Sequence, residues 1–441
     1  MATFRLVAEL LLAAALLLCA YSYAGYPLLL AALSPLRRRR KASARAGDGA
    51  ATAEPTVSLL IPAYNEENVI GQKIVNSLSL DYPAEKLQIR VVSDGSDDAT
   101  DQIARQYASR GVELQRVSPR GGKPNAINQA VPHARGEILL LCDANTMFAP
   151  DAVRQLVRHF ADPAVGAVTG DVRLQSAGLG YGHGEGVFSR LERFTQRCEG
   201  EIWTAIGVDG GMYALRRELY VPNSPDTLVD DFVIAMNVAR AGKRVLFDAE
   251  ARAFEDAVAD ARQEFRRRTR TTAGGFQTLL EGRGRPRWNQ PGLWAGYLSH
   301  KVLRWIGPWL LVLALLANAT VVAAAAEWDA RTWFFAALLG LQGLFYALAA
   351  LGWMLRRRTL PRVVSLPFYF CLGNAAAAAG FFKWLLGKQS VTWAKADRTQ
   401  PVAQPQAGGP SSIAHQSPGL LQQSIPNDPS VAVTTSTKGG S

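Results

Sequence analysis

Nearly every residue from Leu6 to Leu33 is apolar, with Glu9 near the start, and the run is long enough to cross a lipid bilayer. The last third of the chain repeats the pattern. Val302–Ala326 and Thr332–Leu355 are each of membrane-crossing length, joined by the short Glu327–Arg331 connection. Val363–Leu386 is a further candidate, interrupted by Pro367 and Asn374. A chain of this kind must fold its polar middle between membrane anchors. Arg37-Arg38-Arg39-Arg40-Lys41 follows the first run and Arg356-Arg357-Arg358 follows Thr332–Leu355, and such clusters mark the cytoplasmic side. A signal peptide would carry its positive charges before a shorter apolar region, so the first run is expected to be a retained span.

Composition agrees with this layout. Only 19% of the 441 residues are charged, yet the net charge is +11, clumped in those two clusters and at Arg266-Arg267-Arg268. Clusters that flank apolar runs read as membrane-orientation signals rather than as a nucleic-acid surface. The four cysteines have no recognisable spacing, so neither a disulfide framework nor a zinc site is expected. The expected organisation is a membrane helix at 1–36, a basic linker at 37–54, an α/β domain at 55–281 and an interfacial segment at 282–301. A membrane region of two to three spans follows at 302–386, then a largely disordered tail at 387–441, rich in Gln, Ser, Pro, Gly and Thr. Four full spans would leave the C-terminus outside, whereas Lys383, Lys388, Lys395 and Arg398 argue for inside, so one segment is interfacial or re-entrant.

Between Pro55 and about Asp260, short apolar runs alternate with helical stretches. Strands are expected at Val57–Ile61, Leu87–Val92, Val112–Val117, Glu137–Cys142, Val165–Thr169 and Arg244–Asp248. Helices are expected to start near Glu66, Asp98 and Lys123, and to cover Pro150–Phe160 and Asp230–Ala241. This alternation predicts a mostly parallel, Rossmann-like sheet with helices on both faces. Glu264–Leu280 and Lys301–Trp305 suit a membrane surface.

Ligands of such sheets bind outside the carboxyl ends of the strands, and several of those ends are polar here. Ile138–Cys142 runs straight into Asp143, with Asn145 two residues on. Two oxygen ligands there suit a hard divalent cation bridging a diphosphate, although Asp-x-Asn is also an ordinary strand-end turn. The first strand leads into Pro62-Ala63-Tyr64-Asn65-Glu66-Glu67. Tyr64 is placed to stack on a base, while Asn65 and Glu66 equally suit a helix start. Asp94, followed by Gly95, can accept from a base or ribose, and Asp97 or Asp98 can cap a helix. Arg120-Gly121-Gly122-Lys123 offers a turn and a cation opening a helix, which suits phosphate oxygens. Neither a Walker loop nor a Gly-x-Gly-x-x-Gly follows the first strand.

In this order and spacing, Pro62–Glu67, Asp94-Gly95-Ser96, Gly121-Gly122-Lys123 with Asn125 and Asn128, and Asp143-Ala144-Asn145 resemble the nucleotide-sugar-binding half of family 2 glycosyltransferases. These are inverting enzymes on the GT-A fold. The resemblance covers about Pro55 to Arg270, and the flanking spans extend it to membrane-integral cellulose, hyaluronan and poly-N-acetylglucosamine synthases. It implies that Pro62, Ala63, Tyr64, Glu66, Asp94, Lys123, Asp143 and Ala144 hold the nucleotide sugar, most simply a UDP-sugar. It also implies that Asp143 and Asn145 ligate Mg²⁺ or Mn²⁺, with Asn145 departing from the family's Asp-x-Asp.

Leu228-Val229-Asp230-Asp231-Phe232 resembles the family's Thr-Glu-Asp motif, which makes Asp231 the expected catalytic base. Asp209, Gly210 and Gly211, with Asp230, are expected on the acceptor side. Arg267-Arg268-Thr269-Arg270-Thr271 is a partial counterpart of Gln-x-x-Arg-Trp. Its arginines Arg267, Arg268 and Arg270 are suited to the departing diphosphate, or to a basic solvated helix face. Thr271 stands where processive synthases have tryptophan, so polymer synthesis and single-sugar transfer both stay open.

The expectation is therefore a multi-pass protein of a bacterial plasma membrane with a cytoplasmic catalytic domain, a glycan or lipid-linked acceptor, and contact with membrane lipids. Nucleic acid is not an expected partner, and any conduit would need export partner proteins or an oligomer. Trp203, Trp294 and Trp305 are candidates for sugar stacking or for interfacial anchoring. Rival readings are a nucleotide-binding membrane scaffold without catalysis and a transporter, the latter disfavoured because the apolar segments hold almost no central charge.

Overall fold

The computed structural model describes residues 2–45, 54–175, 182–256 and 261–390. The expected tail beyond 390, and part of the basic linker, lie outside the described residues. Eight strands form one sheet in the order β3-β2-β1-β4-β7-β6-β8-β5. They are β1 (Val57–Ala63), β2 (Leu87–Asp94), β3 (Val112–Val117), β4 (Ile138–Cys142), β5 (Met147–Phe148), β6 (Val165–Gln175), β7 (Met212–Arg216) and β8 (Arg244–Asp256). β1 pairs in parallel with β2 and β4, β2 with β3, and β6 with β8, while β7 runs antiparallel to both β4 and β6. The sheet is mixed, with its parallel part at the N-terminal side.

Strand periodicity builds the two layers around it. Leu59, Ile61, Leu140 and Cys142 point to one face, into a core shared with α3 (Ile70–Leu78), α4 (Thr100–Arg105) and α6 (Ala152–Val157). Leu60, Leu139 and Leu141 point to the other, against α5 (Lys123–Ala130) and α8 (Asp230–Arg240). All five β4 residues are buried, and each such Leu or Ile contributes about 1.5–3 kcal/mol of transfer free energy. That is why an unbroken apolar run, rather than an alternating one, sits at the centre of the sheet.

Several elements differ from the sequence expectation. β7 and the long α7 (Gly182–Ile202) occupy a stretch where neither was expected, and β8 continues eight residues beyond Asp248 to Asp256. The segment expected to be merely interfacial also enters the domain core. It contains α10 (Pro291–Gly296), a π-helical stretch at Tyr297–Val302 and α11 (Leu303–Trp305), and its Leu293, Tyr297 and Val302 bury in the second core layer.

Three helical stretches are long and apolar enough to cross a membrane: Thr3–Pro35, Ala330–Met354 and Arg362–Leu385. The first contains nearly all of α1 (Ala2–Ala20), a π-helical stretch at Tyr21–Gly25 and the first half of α2 (Tyr26–Arg45). The other two are α13 (Ala330–Met354) and α14 (Arg362–Leu385). Between α11 and α12 (Gly307–Ala323) the chain bends by 62°. α1 packs along α12 through Leu12, Ala15, Ala314 and Ala317. At one end of this bundle Glu9 pairs with Arg331 and Arg5 donates to Thr332.

α14 runs unbroken through Pro367 and Asn374, contrary to the expected interruption. It packs lengthwise on α9 (Ala261–Glu281): a Cβ on Gly380 would lie 2.6 Å from the Thr269 carbonyl, and Phe381 stacks edge-on against Phe276. Its contacts with the bundle are made at the start of α12 and along the C-terminal part of α13, from Phe345 against Phe370 onward. Asn374 lies against Gly307, Phe381 against Trp309, and Phe368 against Gly352 and Trp353.

Candidate active site

The loops leaving β1 and β2 are tied together before any ligand arrives. Asn65, at φ 54° in the left-handed region that Asn tolerates, receives the Asp97 N–H on its Oδ1 at 3.0 Å and donates its own N–H to Ser96 Oγ at 3.2 Å. The Glu66 N–H donates to Thr100 Oγ1 at 2.8 Å. Tyr64 stacks face-on against the Arg120 guanidinium, 3.4 Å from its ring centroid.

Asp94 is 4% exposed. Its two oxygens accept the Gly121 and Gly122 N–H groups at 2.8 and 2.7 Å. Both oxygens are therefore engaged with backbone amides, and the carboxylate shapes the turn that launches α5 and presents Lys123. Gly122, at φ 86°, lies in the region that favours glycine.

Lys123 donates to Asp143 Oδ1 at 2.6 Å. Burial would pull its ammonium down, but Asp143, Asp230 and Asp231 outweigh burial and hold it above the usual lysine range. Ala144 is 3% exposed and its methyl packs in the core, so the side chain does not face the crevice. Asn145 donates from Nδ2 to Glu255 Oε1 at 2.7 Å. Beneath this turn, the fully buried Lys73 of α3 donates to the Thr146 carbonyl at 2.6 Å and lies over the Phe148 ring at 3.6 Å.

The acceptor-side residues come from three elements. The Asp209 N–H donates to Thr169 Oγ1 at 3.0 Å, and Asp209 Oδ1 accepts from Gly211 N–H at 3.0 Å. Burial pushes the Asp209 carboxyl up to about 7, with the Gly211 N–H opposing and Glu255, Asp231 and Asp143 adding to the rise. Gly210 passes so close to Asp231 that a Cβ there would lie 2.7 Å from Asp231 Oδ2. Asp231 stands in the first turn of α8, where the dipole favours a carboxylate, and its Oδ1 accepts the Phe232 N–H at 2.7 Å. Burial and the charge of Asp230 push its carboxyl up to about 6, with Lys123 pulling the other way. Asp230 itself is 5% exposed.

The arginines of α9 are placed elsewhere. Arg267 donates to both oxygens of the buried Glu264, at 2.8 and 3.0 Å, and Arg268 donates to Glu264 Oε1 at 2.6 Å and to the Tyr369 hydroxyl. Arg267 and Arg268 face a cavity of about 230 Å³ bounded by α7, α9, α11 and α14. Their donors go to Glu264 and the Tyr369 hydroxyl, while Glu255, which holds Asn145, also acts on Arg267. Arg270 follows on the same helix. Trp305 is not a free stacking surface, being packed against Phe232, Tyr297 and Gly275. The Trp294 indole donates to the Arg287 carbonyl.

Sequence reasoning missed Lys73, Glu255 and the Arg120–Tyr64 stack. Glu255 was within reach, because the buried alternation of Ala251 and Ala253 carries β8 on to it. Lys73 had no such signal, since one lysine in an amphipathic helix reads as solvated.

Among the described residues, no three Asp, Glu, His or Cys side chains stand in metal-holding geometry. The donor set nevertheless fits a divalent cation shared with a diphosphate. Asp143, Asp230 and Asp231 all act on Lys123, and Asp143, Asp231 and Glu255 act on Asp209, so several carboxylates share one crevice with one cation. Mg²⁺ and similar ions take one or two carboxylates, with substrate phosphates and water completing the shell.

Residues 58–221 match glycosyl transferase family 2. The chain is 27% identical over 245 residues to the beta-monoglucosyldiacylglycerol synthase of Synechocystis sp., covering 53% of this chain and 51% of that protein. It is 25% identical over 234 residues to the poly-beta-1,6-N-acetyl-D-glucosamine synthase of Staphylococcus aureus, covering 51% and 55%. The chain thus spans about half the length of the curated relatives it matches. Among solved structures, the mannosyltransferase PcManGT from Pyrobaculum calidifontis, in complex with GDP-Man and Mn²⁺, superposes with a TM-score of 0.63 at 27% identity, covering 86% of this chain and all of that one.

Proposed function

From a chain that carries a glycosyl transferase family 2 domain on a GT-A fold, we propose a membrane-bound inverting transferase that moves a sugar from a nucleotide diphosphate donor, most simply a UDP-sugar, to a glycan or lipid-linked hydroxyl. The observation that carries this is the approach of Gly210 to Asp231, with Lys123 and Asp143 paired in the same carboxylate-rich crevice. The glycine leaves one face of the carboxylate uncovered by a side chain, where an acceptor hydroxyl can approach.

In the transfer, the acceptor oxygen bonds to the anomeric carbon from the face opposite the diphosphate. The carbon–oxygen bond to the diphosphate breaks, and the hydroxyl proton passes to Asp231. A carboxyl raised to about 6 is still ionised at neutral pH and is a better base than an ordinary aspartate. Lys123 offsets the charge that gathers on the leaving oxygens. Asp143, with the Asn145 amide oxygen, would hold Mg²⁺ or Mn²⁺, which when bound supplies Lewis-acid neutralisation of the diphosphate. A complex of PcManGT with GDP-Man and Mn²⁺ supports that pairing.

We further infer three spans, in α1–α2, α12 and α13, with the catalytic domain and C-terminus on the cytoplasmic side. α14 then lies along the interface, supported by its lengthwise packing on α9 and its contacts at the start of α12 and along the C-terminal part of α13. This arrangement reconciles Arg356-Arg357-Arg358 and Lys383 on one side. Membranes supplied with radiolabelled nucleotide sugars test the activity. Wild type should transfer label to an extractable lipid or polymer, and Asp231→Asn should lose at least about a hundredfold. Undiminished transfer by that variant would remove Asp231 from the chemistry.

A further inference from the structure

Asn145 is the weak point of the proposed cation site, because its amide brings no charge and has two unlike ends. An Asn side chain ligates a hard cation through its oxygen alone. Turned about, it would present N–H donors to the metal instead. Something must fix which end faces the crevice, and the partner in place is Glu255, whose Oε1 accepts from Asn145 Nδ2 at 2.7 Å. An ionised carboxylate only accepts, so this contact by itself settles which end of the amide meets Glu255. Oδ1 is left on the other arm. Among the described residues it accepts no hydrogen bond, and it is not one of the buried atoms left without a partner, so it stays open to solvent. Asp143 is alike: Oδ1 takes the Lys123 ammonium at 2.6 Å, and Oδ2 stays open. The turn thus offers two open oxygens, one charged and one neutral.

Backbone pairing brings Glu255 to this turn. The two residues of β5 run antiparallel to β8, with Met147 opposite Phe254 and Phe148 opposite Ala253. The next residue of β8, Glu255, therefore lies level with the end of the turn at Thr146. Ala251 and Ala253 are buried, and the period of two turns Glu255 to the same face. From beneath, α3 holds the backbone: Lys73 donates to the Thr146 carbonyl at 2.6 Å, and Asn76 brackets Phe148, donating to its carbonyl at 2.9 Å and accepting its N–H at 2.8 Å. With the backbone pinned, the freedom left at Asn145 is in its side-chain torsions, and Glu255 removes it. The charges around Glu255 are Arg267 from α9, which attracts it, and the carboxyls of Asp209 and Glu185, which oppose it.

We propose that Glu255 is a positioning residue of the cation site: it holds the Asn145 amide with Oδ1 towards the crevice and supplies, one hydrogen bond away, the negative charge that Asn145 lacks. This rests on the reading of Asp143 and Asn145 as the ligands of Mg²⁺ or Mn²⁺ given above. Glu255 acts through Asn145 and touches neither sugar nor diphosphate in this role. A carboxylate behind the N–H end also polarises the amide, drawing electron density onto Oδ1 and making it a better ligand, as carboxylates do behind metal-bound imidazoles.

The test is a Mn²⁺ titration of the full-length protein in neutral detergent, followed by loss of the free-ion electron paramagnetic resonance signal, with melting of the metal-free protein measured in parallel. Glu255→Met removes the acceptor and should weaken Mn²⁺ binding about tenfold. Glu255→Gln keeps an oxygen that can accept the same bond and should fall between Glu255→Met and wild type; it takes over the test if Glu255→Met does not fold. The deciding comparison repeats the substitution in the Asn145→Asp background. A carboxylate has two equivalent oxygens and needs no orienting, so there the loss should shrink to less than about threefold. An equal loss in both backgrounds would make Glu255 a ligand or a remote charge and overturn the positioning role. A lowered melting temperature with unchanged Mn²⁺ affinity would overturn it too, as the mark of a purely structural contact. So would a wild type that takes up no Mn²⁺. Absent sugar transfer by wild type, alongside a Mn²⁺ loss that depends on Asn145, would keep Glu255 in its role and reject only the transferase reading.

Discussion

Replacing Gly210 by alanine is the sharpest probe of the proposed base. The added methyl carbon would lie 2.7 Å from Asp231 Oδ2, 3.3 Å from Cγ and 3.5 Å from Cβ. A relaxed carbon–oxygen contact needs about half an ångström more, so the carboxylate must swing away. It cannot do so without disturbing the 2.7 Å bond from the Phe232 N–H to Oδ1. Gly210 is not among the glycines with positive φ, so alanine costs little in backbone strain. The damage is therefore positional: a misplacement approaching 1 Å at a catalytic group costs about a hundredfold in rate. The expected result in a nucleotide-sugar transfer assay is a kcat lowered by about ten- to a hundredfold, with the donor KM within about twofold and melting nearly unchanged. Gly292→Ala, where a Cβ meets nothing within 4 Å, serves as the control and should behave as wild type. A folded Gly210→Ala protein with full kcat would refute the reasoning, because the position of Asp231 could then not limit the reaction.

Because burial and Asp230 raise the Asp231 carboxyl to about 6, kcat/KM should climb through about pH 6 and then level off; Lys123→Met, which removes the opposing charge, should move that limb to higher pH. The same raised carboxyl penalises the fold as pH rises from the unfolded value through about 6, so Asp231→Asn should melt higher than wild type at pH 7 and lose the advantage at pH 4. Lys73→Met strips the Thr146 carbonyl of its partner in a fully buried site, and denaturant unfolding should register a loss of about 1–3 kcal/mol. Asn145→Asp exchanges the donor to Glu255 for a second carboxylate; melting without metal should fall, and Mn²⁺ should raise it more steeply than in wild type, whereas identical metal titrations would show that residue 145 is not a ligand.

The first, second and fourth strands were legible in the chain as apolar runs that end in polar turns, with expected ends at Ile61, Val92 and Cys142 against Ala63, Asp94 and Cys142 in the structure, because local steric preference decides such features. Asp231 was legible for the same reason, as an acid opening a helix after a loop. What those residues touch was not. Asp94 was expected to meet a nucleotide, and its hold on the Gly121-Gly122 turn was not foreseen, because only the sheet brings two amides 27 and 28 residues away onto its oxygens. β7 was missed since a five-residue antiparallel strand with four consecutive buried residues, preceded by glycines, has no periodicity to betray it. Length and hydropathy made α14 a candidate span, and they cannot distinguish lipid from a protein face as its apolar neighbour; α9 supplies such a face along one side. The sequence by itself determined the apolar spans, the alternating core and the polar strand ends, all of which depend on neighbours within a few residues. The tertiary structure decided which charges meet, pairing Arg267 and Arg268 with Glu264 and gathering Arg304, Lys301 and Glu192 from segments more than a hundred residues apart, since Coulomb energy depends on distance in space and not along the chain.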